Sequence, residues 1–114
     1  MGVYTNLPVY KASYDLLIQL FIMVHNMNKE YKYSLGEKLK NEAMNLIINI
    51  YKSNTVYKKD DNINNARENL EVIRLLIRIL RDMNQISINK YISLNMDIED
   101  ISKQLLGWYR MEKK

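Results

Sequence analysis

The run Ala66-Arg67-Glu68-Asn69-Leu70-Glu71-Val72-Ile73-Arg74-Leu75-Leu76-Ile77-Arg78-Ile79-Leu80-Arg81-Asp82-Met83 holds neither Gly nor Pro and repeats its apolar residues at helical spacing. At about 100° per residue, Ala66, Leu70, Val72, Ile73, Leu75, Leu76, Ile77, Ile79, Leu80 and Met83 spread over an arc of roughly 220°. Arg67, Arg74, Arg78 and Arg81 share a wedge of roughly 60° opposite. A helix packed on one side of a monomeric bundle needs an apolar stripe only somewhat wider than about 100°. The surplus predicts cover from two sides, by the helix's own bundle and by another molecule. Val72, Leu75 and Ile79 are the positions expected at that second contact, with Ile18 and Ile22 joining them from the first helix.

Outward from this stretch the chain reads as three more helices. Downstream, Ser87 is placed to cap a helix in which Leu94, Ile98, Ile101, Leu105 and Trp108 repeat at spacings of four and three, as in antiparallel bundles. Upstream, Asn54–Asn62 has no periodicity and reads as a loop. Before it, Ser34 with Glu37 three residues later is a capping-box pattern. The helix it starts carries Leu35, Leu39, Ala43, Leu46, Ile47 and Ile50 on its core face. Lys29–Tyr33 is polar and reads as a connector. The first helix begins at Pro8, a residue suited to a first turn, and is expected to run to about Asn28. Four helices of about 20 residues joined by short connections predict an all-α, up-down-up-down antiparallel bundle about 30 Å long. Residues 1–114 are expected to form one domain.

Composition agrees with that class. The 114 residues include three Gly, one Pro and no Cys, which leaves little material for hairpins and none for disulfides or thiolate metal sites. The formal charge is +4. Residues 1–59 hold eight Lys against four acidic residues, so the surplus falls on the first half. No apolar run reaches the roughly 18 residues that span a bilayer, and no leader pattern opens the chain. A cytoplasmic protein without membrane contact is expected.

The search for chemistry yields little. His25 is the lone histidine, flanked by Val24 and Asn26, and reads as a packing or surface residue rather than a ligand. Asp60–Asp61 and Glu99–Asp100 are adjacent in sequence, and neighbours on a helix do not converge on one substrate. No phosphate loop, nucleophile elbow, His-Glu-x-x-His motif or di-iron Glu-x-x-His pair occurs. The expectation is a non-enzyme with no metal, cofactor or small-molecule substrate. The arginine wedge admits two readings. One is intrahelical pairing: Arg67 with Glu71, Arg74 with Glu71 and Arg78 with Asp82, leaving Arg81 without a partner in its helix. The other is a row of guanidinium forks for phosphate or carboxylate. Lys11, Lys38, Lys40, Lys52 and the Lys58–Lys59 loop add to the second reading, which predicts salt-sensitive, sequence-independent binding of RNA or DNA. The nine Tyr read first as core and interface residues and second as stacking surfaces for bases.

Several words of the sequence resemble a known family. Leu7-Pro8-Val9-Tyr10-Lys11-Ala12-Ser13-Tyr14 is similar to the start of bacterial four-helix bundles that include the proteins of ribosomal RNA intervening sequences and the accessory variability determinants of diversity-generating retroelements. Tyr33-Ser34-Leu35-Gly36-Glu37-Lys38-Leu39-Lys40, Ile50-Tyr51-Lys52, Ala66-Arg67-Glu68-Asn69-Leu70 and Gln104-Leu105-Leu106-Gly107-Trp108-Tyr109 resemble the retroelement branch more closely. That resemblance implies a homopentameric basic barrel which binds a reverse transcriptase and nucleic acid during mutagenic copying of a template RNA. It also implies that basic surface residues serve those contacts, here Lys11, Lys38, Lys40, Lys52, Arg67, Arg74, Arg78 and Arg81. The alternative within the same fold is an intervening-sequence type of protein-interaction module without direct nucleic-acid contact.

Overall fold

The computed structural model of the chain describes residues 7–55 and 60–112. They form helices α1 (Pro8–His25), α2 (Lys29–Lys32), α3 (Leu35–Thr55), α4 (Asp60–Asp82) and α5 (Ile88–Glu112). The four long helices alternate in direction. In cross-section α1 neighbours α3, α3 neighbours α4, α4 neighbours α5, and α5 returns to α1. The bundle measures 44 × 21 × 21 Å. Among the described residues no strand occurs.

Each long helix contributes an apolar stripe at spacings of three and four. α1 supplies Val9, Leu16, Leu20 and Val24; α3 supplies Leu39, Ala43, Leu46 and Ile50; α5 supplies Leu94, Ile98, Ile101 and Leu105. From α4 come Ile63, Ala66, Leu70, Ile73, Leu76, Ile77 and Leu80, so the wide arc splits on folding. Val72 packs half-buried against the core, whereas Leu75 stays 58% exposed and Met83 48%. Trp108 closes the core from the last turns of α5.

Helix ends follow local chemistry, and several differ from expectation. α1 stops at His25, three residues early, because Asn26 turns its side-chain amide back onto the Ile22 carbonyl at 3.0 Å. The Lys29–Tyr33 connector contains one helical turn, α2, whose first carbonyl acceptor is Asn28. The Ser34–Glu37 capping box does not form. Ser34 Oγ instead donates to the Glu30 carbonyl at 2.8 Å, closing the turn behind it rather than opening α3. Ser87 does cap α5, accepting the Lys90 amide at 3.0 Å. α4 ends on Asn84 in the left-handed region, φ 59°. There the Gln85 amide donates to the Leu80 carbonyl at 2.8 Å and the Asn84 amide to Arg81 at 2.9 Å, the paired bonds of a Schellman ending. The Asn54–Asn62 loop is shorter at both edges, since α3 runs through Thr55 with Asn54 buried and α4 starts at Asp60; residues 56–59 lie outside the described set.

Candidate interaction surfaces

The arginine wedge does not face solvent as a unit. Arg67, Arg74 and Arg81 are spaced by seven, two helical turns, and so lie in one line along the side of α4 that meets α5. Arg67 sits 5.0 Å from the Tyr109 ring centroid, and Arg81 5.3 Å from that of Tyr91. Between them Arg74 Nη1 donates to Glu99 Oε1 at 2.6 Å while its Nε lies 3.3 Å from Glu71 Oε1. Burial disfavours the charge on Arg74, but the Glu99 hydrogen bond and the charges of Glu71 and Glu99 outweigh it and raise the pKa above the ordinary guanidinium value. These three arginines therefore fasten α4 to α5.

The intrahelical pairs are met in part. Arg74–Glu71 and Arg78–Asp82 form at 3.3 Å each. Arg67 bonds Asn64 at 3.3 Å, and among the described residues no Arg67–Glu71 ion pair occurs. Arg81, expected to lack a partner in its helix, lies 3.6 Å from Asp82. Its neighbour Arg78 is the one member of the wedge that stands mostly in solvent.

Of the four candidate lysines, Lys11, Lys38 and Lys52 are exposed. Lys40 is half-buried, 3.4 Å from Glu37, with its ammonium 5.4 Å from the Phe21 ring centroid. Lys58, Lys59, Lys113 and Lys114, outside the described residues, equal the whole formal charge of +4, so the described surface carries no net charge. The surplus on residues 1–59 thus reduces to a smaller lean than the sequence count suggested.

Apolar exposure is more extensive than expected. Ile18, Ile22 and Leu75 are exposed, as an outer contact requires, with Val72 and Ile79 half-buried beside Leu75. The sequence reading missed a larger group. On α1, Tyr14, Ile18 and Phe21 lie at i, i+4 and i+7; on α3, Met44, Ile48 and Tyr51 repeat that pattern. Wheel positions and the Phe21–Lys40 contact put both sets on the α1–α3 side of the bundle. The signal was present in the sequence as a second apolar repeat shifted from the core stripe. Ile88, Ile92 and Met96 make a further exposed stripe on α5.

An open groove of about 470 Å³ runs along α4 beside Ser102, lined by Asn64, Arg67, Glu68 and Glu71. Its one guanidinium is turned to Tyr109. Among the described residues no three His, Cys, Asp or Glu side chains converge, and no helix is long and apolar enough to cross a membrane.

Fold and surface together define an antiparallel four-helix bundle that presents exposed apolar helix faces around a fastened α4–α5 pair. Residues 9–112 match the bAvd-like family, and the chain belongs to that family. The fold is also that of a protein from the S23 ribosomal protein family of Bacteroides thetaiotaomicron VPI-5482, described as of unknown function. The two share a TM-score of 0.83 over 90% of this chain and 95% of that one, at 16% identity, a likeness of fold alone. No curated protein matches the chain in sequence.

Proposed function

We propose that the chain is a non-catalytic accessory protein of a diversity-generating retroelement, acting as a homo-oligomeric ring, a pentamer, that holds reverse transcriptase and nucleic acid together. Membership of the bAvd-like family carries this reading. The exposed apolar residues Ile18, Ile22 and Leu75, with Val72 and Ile79 beside them, support assembly, since isolated apolar residues are ordinary on a surface but grouped ones are not. Phosphate contact falls to the exposed cations Lys11, Lys38, Lys52 and Arg78, with Lys40 and the α4–α5 arginines contributing behind them. A formal charge of +4 per chain becomes about +20 on a pentamer, where simultaneous contacts multiply affinity. Such binding reads backbone and shape, not base sequence.

Two measurements test this. Light scattering at micromolar concentration is expected to give an oligomer, and a clean monomer overturns the assembly. Fluorescence anisotropy of labelled single-stranded RNA and DNA across a salt series is expected to show binding that weakens steeply with salt. The absence of net charge on the described surface favours one second reading, an intervening-sequence type of module that binds protein alone. Oligomerisation without any nucleic-acid binding at low salt would select it.

A further inference from the structure

Three sides of α5 are used inside the bundle. Leu94, Ile98, Ile101 and Leu105 fill the core, and Tyr91, Glu99 and Tyr109 meet the arginine line of α4. Lys90 and Asp97 meet Gln19 of α1 at 3.3 and 3.2 Å. The fourth side looks away from the other helices. It carries Ile88, Ile92 and Met96, one turn apart and each at least half exposed, where a solvated face is normally polar. None of the three belongs to the surfaces assigned above to assembly or to phosphate. Further along, the same side turns to charge, with Glu99, Asp100 and Lys103 exposed.

We propose that this side of α5 is a two-fold contact, an antiparallel α5–α5 pair between two copies of the chain, centred on Ile92. Register and charge select that occupant together. Antiparallel pairing about Ile92 sets each residue after Ile92 on one helix against the residue equally far before it on the other. Ile92 then meets its own mate, and Ile88 meets Met96 twice, so all six apolar side chains are covered. The same register brings Asn89 against Asn95, two amides able to exchange hydrogen bonds. It sets Glu99 and Asp100 at the height of Gln85 and Asn84, at the amino end of the facing helix, where unpaired amides favour negative charge. Lys103 comes close to the height of Asp82, which is exposed. A parallel pair would instead stack Glu99 on Glu99 and Asp100 on Asp100, like charges that repel. The apolar match and the charge match thus fall in one register, as a self-complementary surface requires. With three large apolar residues a copy, the contact is small beside the roughly 20–30 residues a side of a standard interface. It is therefore a weak pair, formed at high concentration or between assemblies that make it several times at once.

The chain's lack of cysteine makes the pairing directly readable. Ile88→Cys, Ile92→Cys, Met96→Cys and Asp100→Cys are prepared separately, all at exposed positions, with circular dichroism confirming the bundle. Each is oxidised with diamide at high protein concentration. Ile92→Cys should give a disulfide-linked dimer at several times the yield of the other three, whose mates lie about 12 Å or more away along the pair. An equal mixture of Ile88→Cys and Met96→Cys should give several times more dimer than either alone. Equal yields from all four single variants would mean parallel pairing or chance collision and overturn the proposal, as would no dimer from Ile92→Cys. Ile92→Lys, which sets two ammonium groups face to face, gives an independent readout. Concentration-dependent association in light scattering should weaken by at least about tenfold. Unchanged association would overturn the proposal and leave the α5 face to a different protein. The species that remains in Ile92→Lys judges the assembly proposed above separately, since Ile18, Ile22 and Leu75 are untouched.

Discussion

Gly36 and Gly107 show how one residue type can answer to opposite demands. A Cβ on Gly36 would lie 2.7 Å from Val24 Cγ1 and 3.1 Å from the Tyr31 carbonyl, so α3 approaches α1 where only hydrogen fits. A Cβ on Gly107 would meet nothing within 4 Å. Gly36→Ala is therefore expected to lower stability by about 1–2 kcal/mol, overpacking outweighing the gain in helix propensity. Gly107→Ala should raise it by about 0.5–1 kcal/mol. Urea midpoints at constant slope measure both. Ser13 makes a related case: fully buried on α1, its hydroxyl finds no hydrogen-bond partner among the described residues. Ser13→Ala should leave stability unchanged or raise it by up to about 1 kcal/mol, and a clear loss would reveal a hidden partner such as ordered water. Residue-level detail was the least legible part of the sequence. The pattern Ser34-x-x-Glu37 names a cap, yet the same hydroxyl can equally close the turn before it. Backbone geometry, absent from the pattern, makes that choice.

At the scale of elements, the core stripes of all four long helices were readable because burial repeats with the helical period. The arginine row was not, and the reason is distance along the chain. Sequence spacing pairs Arg74 with Glu71 in its own helix, while its shortest contact is to Glu99, on the neighbouring helix. No local rule ranks a partner 25 residues away above one three residues away. The line Arg67–Arg74–Arg81 with Tyr109, Glu99 and Tyr91 now predicts a graded response. Arg74→Ala removes two carboxylate partners from a half-buried site and should cost about 1 kcal/mol, a figure kept low by solvent screening. Arg78→Ala, in solvent with one helical partner, should cost less than about 0.5 kcal/mol. Thermal melts at low and at high salt check the order, and the Arg74 effect should shrink as salt rises.

For the whole molecule, the sequence told of excess apolar surface but misjudged where most of it lies. The wide arc on α4 is legible because a single helix displays it. The α1–α3 face is instead assembled from two modest repeats 30 residues apart, Tyr14-Ile18-Phe21 and Met44-Ile48-Tyr51, that become one surface only when the helices pair. Charge behaves in the same distributed way. The described bundle is neutral, and the whole chain's +4 equals Lys58, Lys59, Lys113 and Lys114. Repetition in an oligomer multiplies those four lysines and leaves the rest balanced. Replacing them together (Lys58→Ala, Lys59→Ala, Lys113→Ala, Lys114→Ala) should therefore separate assembly from nucleic-acid binding. The mass by light scattering is expected to stay unchanged, because the apolar faces are untouched. Affinity for single-stranded RNA at low salt should fall by at least about tenfold, and the plot of log affinity against log salt should flatten by roughly 0.7 for each phosphate that the variant no longer neutralises. An unchanged slope would leave phosphate binding to Lys11, Lys38, Lys52 and Arg78 of the bundle alone.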